Sequence, residues 1–299
     1  MGVAPLVLLC TVIWGSTWLA ITYQLGTVAP EASVAYRFAL ASALIAAGCL
    51  ATGRSLRFPL RVHGLLVLQG MLFFGLNYIG IYRAEQYVAS GLVAVLFSTM
   101  VIMSLVGARI AFGAPITPRA LTGSVLGVIG VALLFLPELM AARAGGGAAL
   151  GIAFGLGATL LATGGNLVTM RMQRQHLPII ETTAWGMGYG ALVAAVVATL
   201  GGVTWSFDAR IGYVASLAYL AVFGSIVAFL AYLTLLKKAG AGPASYTSVV
   251  TPVVAMLFST LLEGYRWSLP GVIGVALAVV GNVLVLRTKS SPDSTLRRR

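Results

Sequence analysis

Ten runs of about 20 mostly apolar residues follow one another along the chain, separated by short breaks rich in Arg, Pro and Gly. They fall at 3–25, 30–51, 62–82, 88–110, 118–137, 149–172, 179–201, 211–236, 243–262 and 269–286. Each is long enough to cross a hydrocarbon core as an α-helix, the conformation that satisfies every backbone polar group inside one segment. With 59% of residues apolar and only 9% charged, too little polar surface remains to cover a water-soluble globule. The expected fold is therefore an all-α polytopic membrane protein with ten transmembrane helices. Pro30, Pro118, Pro178, Pro243 and Pro270 stand at or near span starts, where a missing N–H has no intrahelical acceptor to lose.

The net charge of +12 does not point to nucleic acid, because the basic residues are scattered between apolar segments instead of forming one stripe. They read as topology signals. One set of loops holds Arg54, Arg57, Arg61, Arg109, Arg119, Arg171, Arg174, Lys237, Lys238, Arg287, Lys289, Arg297, Arg298 and Arg299; the alternate set holds only Arg83, Arg143, Arg210 and Arg266. Retention of basic loops on the cytoplasmic side predicts that both termini are cytoplasmic. The first apolar run lacks a basic leader and a small-residue cleavage site, so it is expected to stay, and no lipidation motif is well formed. Cys10 and Cys49 lie within apolar segments, as small hydrophobes rather than parts of a disulfide or metal framework.

An internal repeat organises the spans. Gly70, Tyr78 and Arg83 recur as Gly224, Tyr232 and Lys237 at one offset, and Gly123 with Gly130 recurs as Gly274 with Gly281 after a small drift. Residues 1–141 and 149–287 read as two five-helix copies, joined by a glycine-rich linker at 142–148 and followed by a basic tail at 288–299. An odd number of spans per copy forces the second into the membrane from the opposite side. Such inverted repeats characterise secondary transporters, in which the substrate site lies at the midplane between the halves and exchange of the two conformations gives alternating access.

Polar residues inside spans are costly unless they face a cavity or a partner helix, so their positions nominate a site. The candidate substrate-binding residues are Trp14, Thr17, Asn77, Tyr78, Ser98, Thr99, Thr163, Asn166, Trp185, Tyr246, Ser248 and Thr251. Hydroxyls and amides would hold an ammonium and a carboxylate, and aromatic faces would hold a side chain. Trp18 and Tyr82 fit an interfacial belt equally well. Pro252 is expected to bend the ninth span and free a carbonyl. Tyr78 and Tyr232, equivalent in inverted copies, are candidate gates at opposite depths. The fifth and tenth spans carry small residues at seven-residue spacing, suited to close packing away from a pathway.

Every acidic residue falls near a helix end or in a loop, and only Arg37 enters a span, where its long stem either snorkels outward or keeps the charge inside. This pattern favours a neutral or zwitterionic substrate moved by facilitated diffusion over a cationic drug or a phosphate. Enzymatic chemistry has no support: there is no HExxH pair, no intramembrane carboxylate dyad, and neither His63 nor His176 lies at the depth of a serine, which disfavours an intramembrane hydrolase. No metal or other cofactor is expected. The expected partners are a small-molecule substrate and the lipid bilayer; a monomer is compatible with the sequence.

Trp14-Gly15-Ser16, Pro30 and Arg37, then Gly70 and Gly75 leading to Tyr78, and finally Pro252, Glu263, Gly274 and Gly281 resemble the drug/metabolite transporter superfamily in its EamA-type ten-helix branch. The first copy departs from the branch pattern with Ser98-Thr99 for a helical proline and Arg109 for a glutamate. The abundance of Trp and Tyr looks like the YddG-like aromatic amino-acid exporters. The resemblance implies a basket of ten helices in a bacterial inner membrane that exports amino acids or related metabolites. Nucleotide-sugar and drug carriers of the same superfamily are the alternative.

Overall fold

A computed structural model of the chain describes residues 2–142, 147–239 and 241–286, and among these residues all regular structure is helical. Ten helices alternate in direction. They are α1 (Val3–Thr22), α2 (Pro30–Ala51), α3 (Leu60–Ala84), α4 (Ser90–Phe112), α5 (Pro118–Ala142), α6 (Ala148–Arg174), α7 (Ile179–Leu200), α8 (Ile211–Tyr219 continuing through Ala228–Ala239), α9 (Ala241–Leu262) and α10 (Leu269–Leu286). The first eight contain windows long and apolar enough to cross a membrane; the described apolar parts of the last two, Thr247–Leu262 and Leu269–Val285, are shorter. Most of the expected linker, and the whole basic tail with Arg287, lie outside the described residues.

Local chemistry sets the boundaries. Pro30 opens α2 and Pro118 opens α5. Gly113 closes α4 in the left-handed region at φ 69°, accessible to glycine without a Cβ clash. His176 takes the same conformation at φ 55° between α6 and α7, where Leu177 N–H returns to Met172 O at 3.2 Å.

Three helices depart from a regular α-helix. In α3 the segment Gly70–Leu76 is π-helical, and in α8 so is Leu220–Val227, which contains Gly224, the residue the sequence pattern matches to Gly70. The third break is a turn at Ser98–Thr99 that divides α4 into Ser90–Phe97 and Met100–Phe112. There the hydroxyls of Ser98 and Thr99 donate to Val95 O and Leu96 O at 2.6 and 2.7 Å, a back-bonding that bends helices.

Hydrogen bonds between helix ends fix the two rims of the bundle. At one rim Tyr82 donates to Gln24 at 2.7 Å, Arg83 pairs with Glu31 at 2.7 Å, Ser33 meets Tyr213 at 3.0 Å, and Glu263 accepts from Ser90. At the other, Arg54 pairs with Glu181 at 3.2 Å, Trp185 donates to Leu56 O at 2.8 Å, and His63 meets Tyr189 at 2.8 Å. α5 and α10 form their own tight pair at the side. A Cβ at Gly123 would meet Gly281 O at 2.6 Å and one at Gly274 would meet Gly130 O at 2.5 Å, so the two backbones touch.

Candidate functional site

A cavity of about 460 Å³, within the range of small-molecule sites, lies among eight of the ten helices; α5 and α10 contribute no wall. No Asp, Glu, Lys, Arg or His lines it among the described residues. Its walls are aromatic (Trp14, Trp18, Phe38, Phe74, Tyr78, Tyr232) and neutral polar (Thr17, Gln69, Asn77, Ser98, Asn166, Thr251). It reaches the surface beside exposed Gln173 at the rim of the Arg54–Glu181 pair. Towards the other rim it is roofed by Tyr78, Phe38 and the Trp18–Phe97 ring pair, 5.5 Å apart, and behind that roof Tyr82 is fully buried.

The amides in the wall are oriented by their partners. Asn77 Nδ2 donates to Phe73 O at 2.9 Å; since a carbonyl can only accept, Oδ1 must face the opposite way, and it has no partner. Thr169 has given its hydroxyl proton to Gly165 O, so it must accept from Gln69 Nε2 at 2.9 Å, leaving Gln69 Oε1 unpartnered. Thr251 Oγ1 is also without a partner. One residue on, Pro252 has no N–H to offer Ser248 O, a carbonyl beside a cavity-lining side chain. The side chains that line the cavity therefore carry spare acceptors, and a buried acceptor left unmade is costly until a ligand or water supplies a donor.

Of the residues nominated from sequence, Trp14, Thr17, Asn77, Tyr78, Ser98, Asn166, Ser248 and Thr251 line this cavity, as does Tyr232. Trp14 donates to Gly224 O at 3.2 Å and packs on Tyr232 at 5.4 Å, on the open side; Tyr78 stacks edge-on to Phe38 at 4.7 Å beneath the roof. The Tyr246 side chain lies outside the described residues.

Three nominations are corrected. Trp185 points towards the open rim instead of the cavity, held by Leu56 O, Tyr189 and His63, whose ring centroid is 4.9 Å away. Thr99 and Thr163 are buried and spend their hydroxyls on Leu96 O and Thr159 O in their own helices. Nor are Trp18 and Tyr82 belt residues, since both are buried. Arg37 does not snorkel: it is 2% exposed, with its guanidinium 4.6 Å from the Tyr78 ring and 5.1 Å from that of Phe38. Sequence reasoning passed over Phe38, Phe74 and Phe97 because a phenylalanine in an apolar helix carries no sign of the face it occupies, and Thr169 and Thr182 because they lie close to a helix end.

A bundle of ten apolar helices around a polar-lined cavity open at one rim defines a multi-pass membrane transporter. The EamA-like transporter family model matches residues 2–136 and again 149–287, and the chain belongs to that family. It is 29% identical to the uncharacterized inner membrane transporter YedA of Escherichia coli strain K12, over 90% of this chain and 87% of that one. It is also similar to an uncharacterized transporter of Archaeoglobus fulgidus (25% identity, covering 94% and 97%) and to protein PagO of Salmonella typhimurium strain LT2 (21%, covering 99% and 98%). A crystal structure shares the fold at a TM-score of 0.67 and 18% identity, covering 94% of this chain and 95% of that one.

Proposed function

We propose that the protein exports amino acids or closely related zwitterionic metabolites across a bacterial inner membrane by alternating access between two inverted five-helix repeats. One observation carries the substrate class: an uncharged aromatic cavity lined by neutral polar side chains, among them Asn77 and Thr251 with an oxygen that has no partner. An ammonium group would supply donors to these oxygens, the Ser248 hydroxyl would donate to the carboxylate, and Trp14, Phe74 and Tyr78 would hold the side chain. A nucleotide sugar would bring phosphates to a wall without a cation, and a cationic drug would find no carboxylate.

The repeat reading is supported by reciprocity: Gly123 touches Gly281 while their repeat partners Gly274 and Gly130 touch each other, the pattern of a two-fold relation between copies. With no charged wall to carry a proton alongside the substrate, the transport step is facilitated diffusion. Purified protein in liposomes should show saturable uptake of labelled phenylalanine or another amino acid when offered alongside a nucleotide sugar and a cationic dye. Saturable uptake of the dye or the nucleotide sugar alone overturns the substrate assignment. Amino-acid uptake that stops when only the proton gradient is collapsed overturns the uncoupled mechanism.

A further inference from the structure

Behind the cavity roof, at the closed rim, lies a second polar group that the transport reading does not use. Glu85 follows the last residue of α3 and is 8% exposed, and neither of its carboxylate oxygens has a hydrogen-bond partner. At the same rim Gln24, 1% exposed, accepts from the Tyr82 hydroxyl but leaves its own Nε2 unpartnered. An ionised carboxylate kept dry with no donor is among the costliest arrangements a protein can hold, and the carboxyl escapes the cost by keeping its proton.

The groups facing Glu85 reinforce this. From the end of α9 comes Glu263, a second carboxylate, which differs from Glu85 in having donors: Ser90 N–H at 3.3 Å, the Ser90 hydroxyl at 2.7 Å, and the Ser259 hydroxyl. From α2 comes Arg37, a cation whose guanidinium is turned on the Phe38 and Tyr78 rings and makes no ion pair with Glu85. On α3 itself are the phenol of Tyr82 and Arg83, the latter already paired with Glu31 of α2; Tyr213 of α8 lies behind Tyr82. Burial pushes the Glu85 carboxyl well above the usual carboxylate range, Glu263 adds to the push, and Arg37 opposes it.

We propose that Glu85 is a proton-binding site of the closed rim, which holds its proton while that rim is shut and releases it to the water on the same side when the rim opens. The sign follows from linkage. An opened rim hydrates Glu85 and returns it towards ordinary carboxylate behaviour, so the closed form is favoured at low pH and loses its advantage as pH rises. Between the open-state and the closed-state titration points one proton leaves per opening, and the open-to-closed ratio rises about tenfold per pH unit. The proton enters and leaves at one rim, so it is not carried across with substrate; it sets how readily that rim opens. The proposal needs no particular substrate, and its failure would leave the amino-acid reading untouched.

The test uses the full chain in lipid vesicles with equal pH on both sides. Spin labels at exposed Gln86 and Arg266 report the width of this rim, in a background where Cys10 and Cys49 are alanine. From about pH 5 to about pH 9 the wild type should pass from a single short distance to a mixture with a longer one, and Glu85→Gln, which keeps the neutral shape, should stay short throughout. The same titration followed in the wild type by infrared spectroscopy should show a protonated carboxyl band lost with the same midpoint. A Glu85→Gln profile that follows the wild type, a response abolished by Glu263→Gln instead, or no protonated carboxyl band at about pH 6 overturns the proposal, the last even if the variant fails to fold.

Discussion

Asn77 and Trp185 illustrate what a single residue does and does not reveal in an apolar chain. Both are polar-bearing side chains within spans, and from sequence alone both qualify as cavity residues. The structure separates them by their partners: the Asn77 amide has its N–H on its own helix and its oxygen unmade beside the cavity, whereas the Trp185 indole N–H is spent on Leu56 O. Asn77→Leu should therefore raise the substrate concentration for half-maximal transport about tenfold or more, the loss of one hydrogen bond to a charged group, with little change in melting temperature. Trp185→Phe should do the reverse, lowering stability by about 1 kcal/mol while leaving substrate affinity as it was. Direct binding and thermal melts in detergent read the two quantities separately, and an affinity loss in Trp185→Phe would return that residue to the site. The cavity was legible where an amide sat in mid-span, as for Asn77 and Asn166, and at Thr251, whose hydroxyl has no partner. Helical back-bonding does not decide it: Thr99 and Thr163 back-bond and stay outside the cavity, Thr17 and Ser98 back-bond and line it, and the face each occupies depends on how the helix is turned against its neighbours, which composition does not record.

At the scale of helices, boundaries were readable because proline and left-handed glycine act locally, and small residues at seven-residue spacing marked α5 and α10 for close packing outside the pathway without showing that they pack on each other. What the spacing could not show was how close the approach is. With the Gly130 and Gly274 backbones already in contact, Gly130→Leu or Gly274→Leu leaves nowhere for a side chain. Each should cost about 1–3 kcal/mol or more, seen as a melting temperature lower by roughly 2–10 °C; an unchanged melt would mean the pair is looser than described. The π-helical segments of α3 and α8 had no sequence signal, since an extra residue in a turn is decided by the helix packed against it. In α3 that neighbour is α7, whose Gly186 O and Gly190 N would lie 2.6 and 2.9 Å from a Cβ at Gly70. The bend of α4 was hidden for a different reason. If the two halves are repeats as proposed, Ser98 stands at the position of Pro252, and two hydroxyls would bend in one copy a helix that a proline interrupts in the other. Ser98→Pro should then preserve transport, whereas the pair Ser98→Ala with Thr99→Ala should slow it without loss of folded protein; equal rates in both would detach the bend from transport.

For the molecule as a whole, the distribution of contacts between the two rims fits one end-state of the proposed alternating-access cycle. The closed rim is held by Tyr82 on Gln24, Arg83 on Glu31, Ser90 on Glu263 and Trp18 against Phe97, while the other admits access past Gln173. If the halves are inverted copies that exchange shapes, as proposed, the exchange would undo the first set and bring Tyr232, now lying against Trp14, across the opposite mouth. We propose from the basic-loop asymmetry that the open rim faces the cytoplasm. A cysteine at exposed Gln86 should then react with an impermeant maleimide in intact cells, and one at exposed Gln175 only after permeabilisation. With sidedness fixed in this way, the gating roles separate cleanly. Tyr78→Ala removes the ring that packs on Phe38 and under Arg37, so it weakens the roof and should raise labelling of a cysteine at Ser98 from outside. Tyr232→Ala leaves the roof intact and removes the ring available to close the inner mouth, so labelling of the same cysteine should rise from inside. If neither change alters the side from which Ser98 is reached, the two tyrosines are wall residues of a cavity gated elsewhere, and the hydrogen bonds of the closed rim would have to hold it without them.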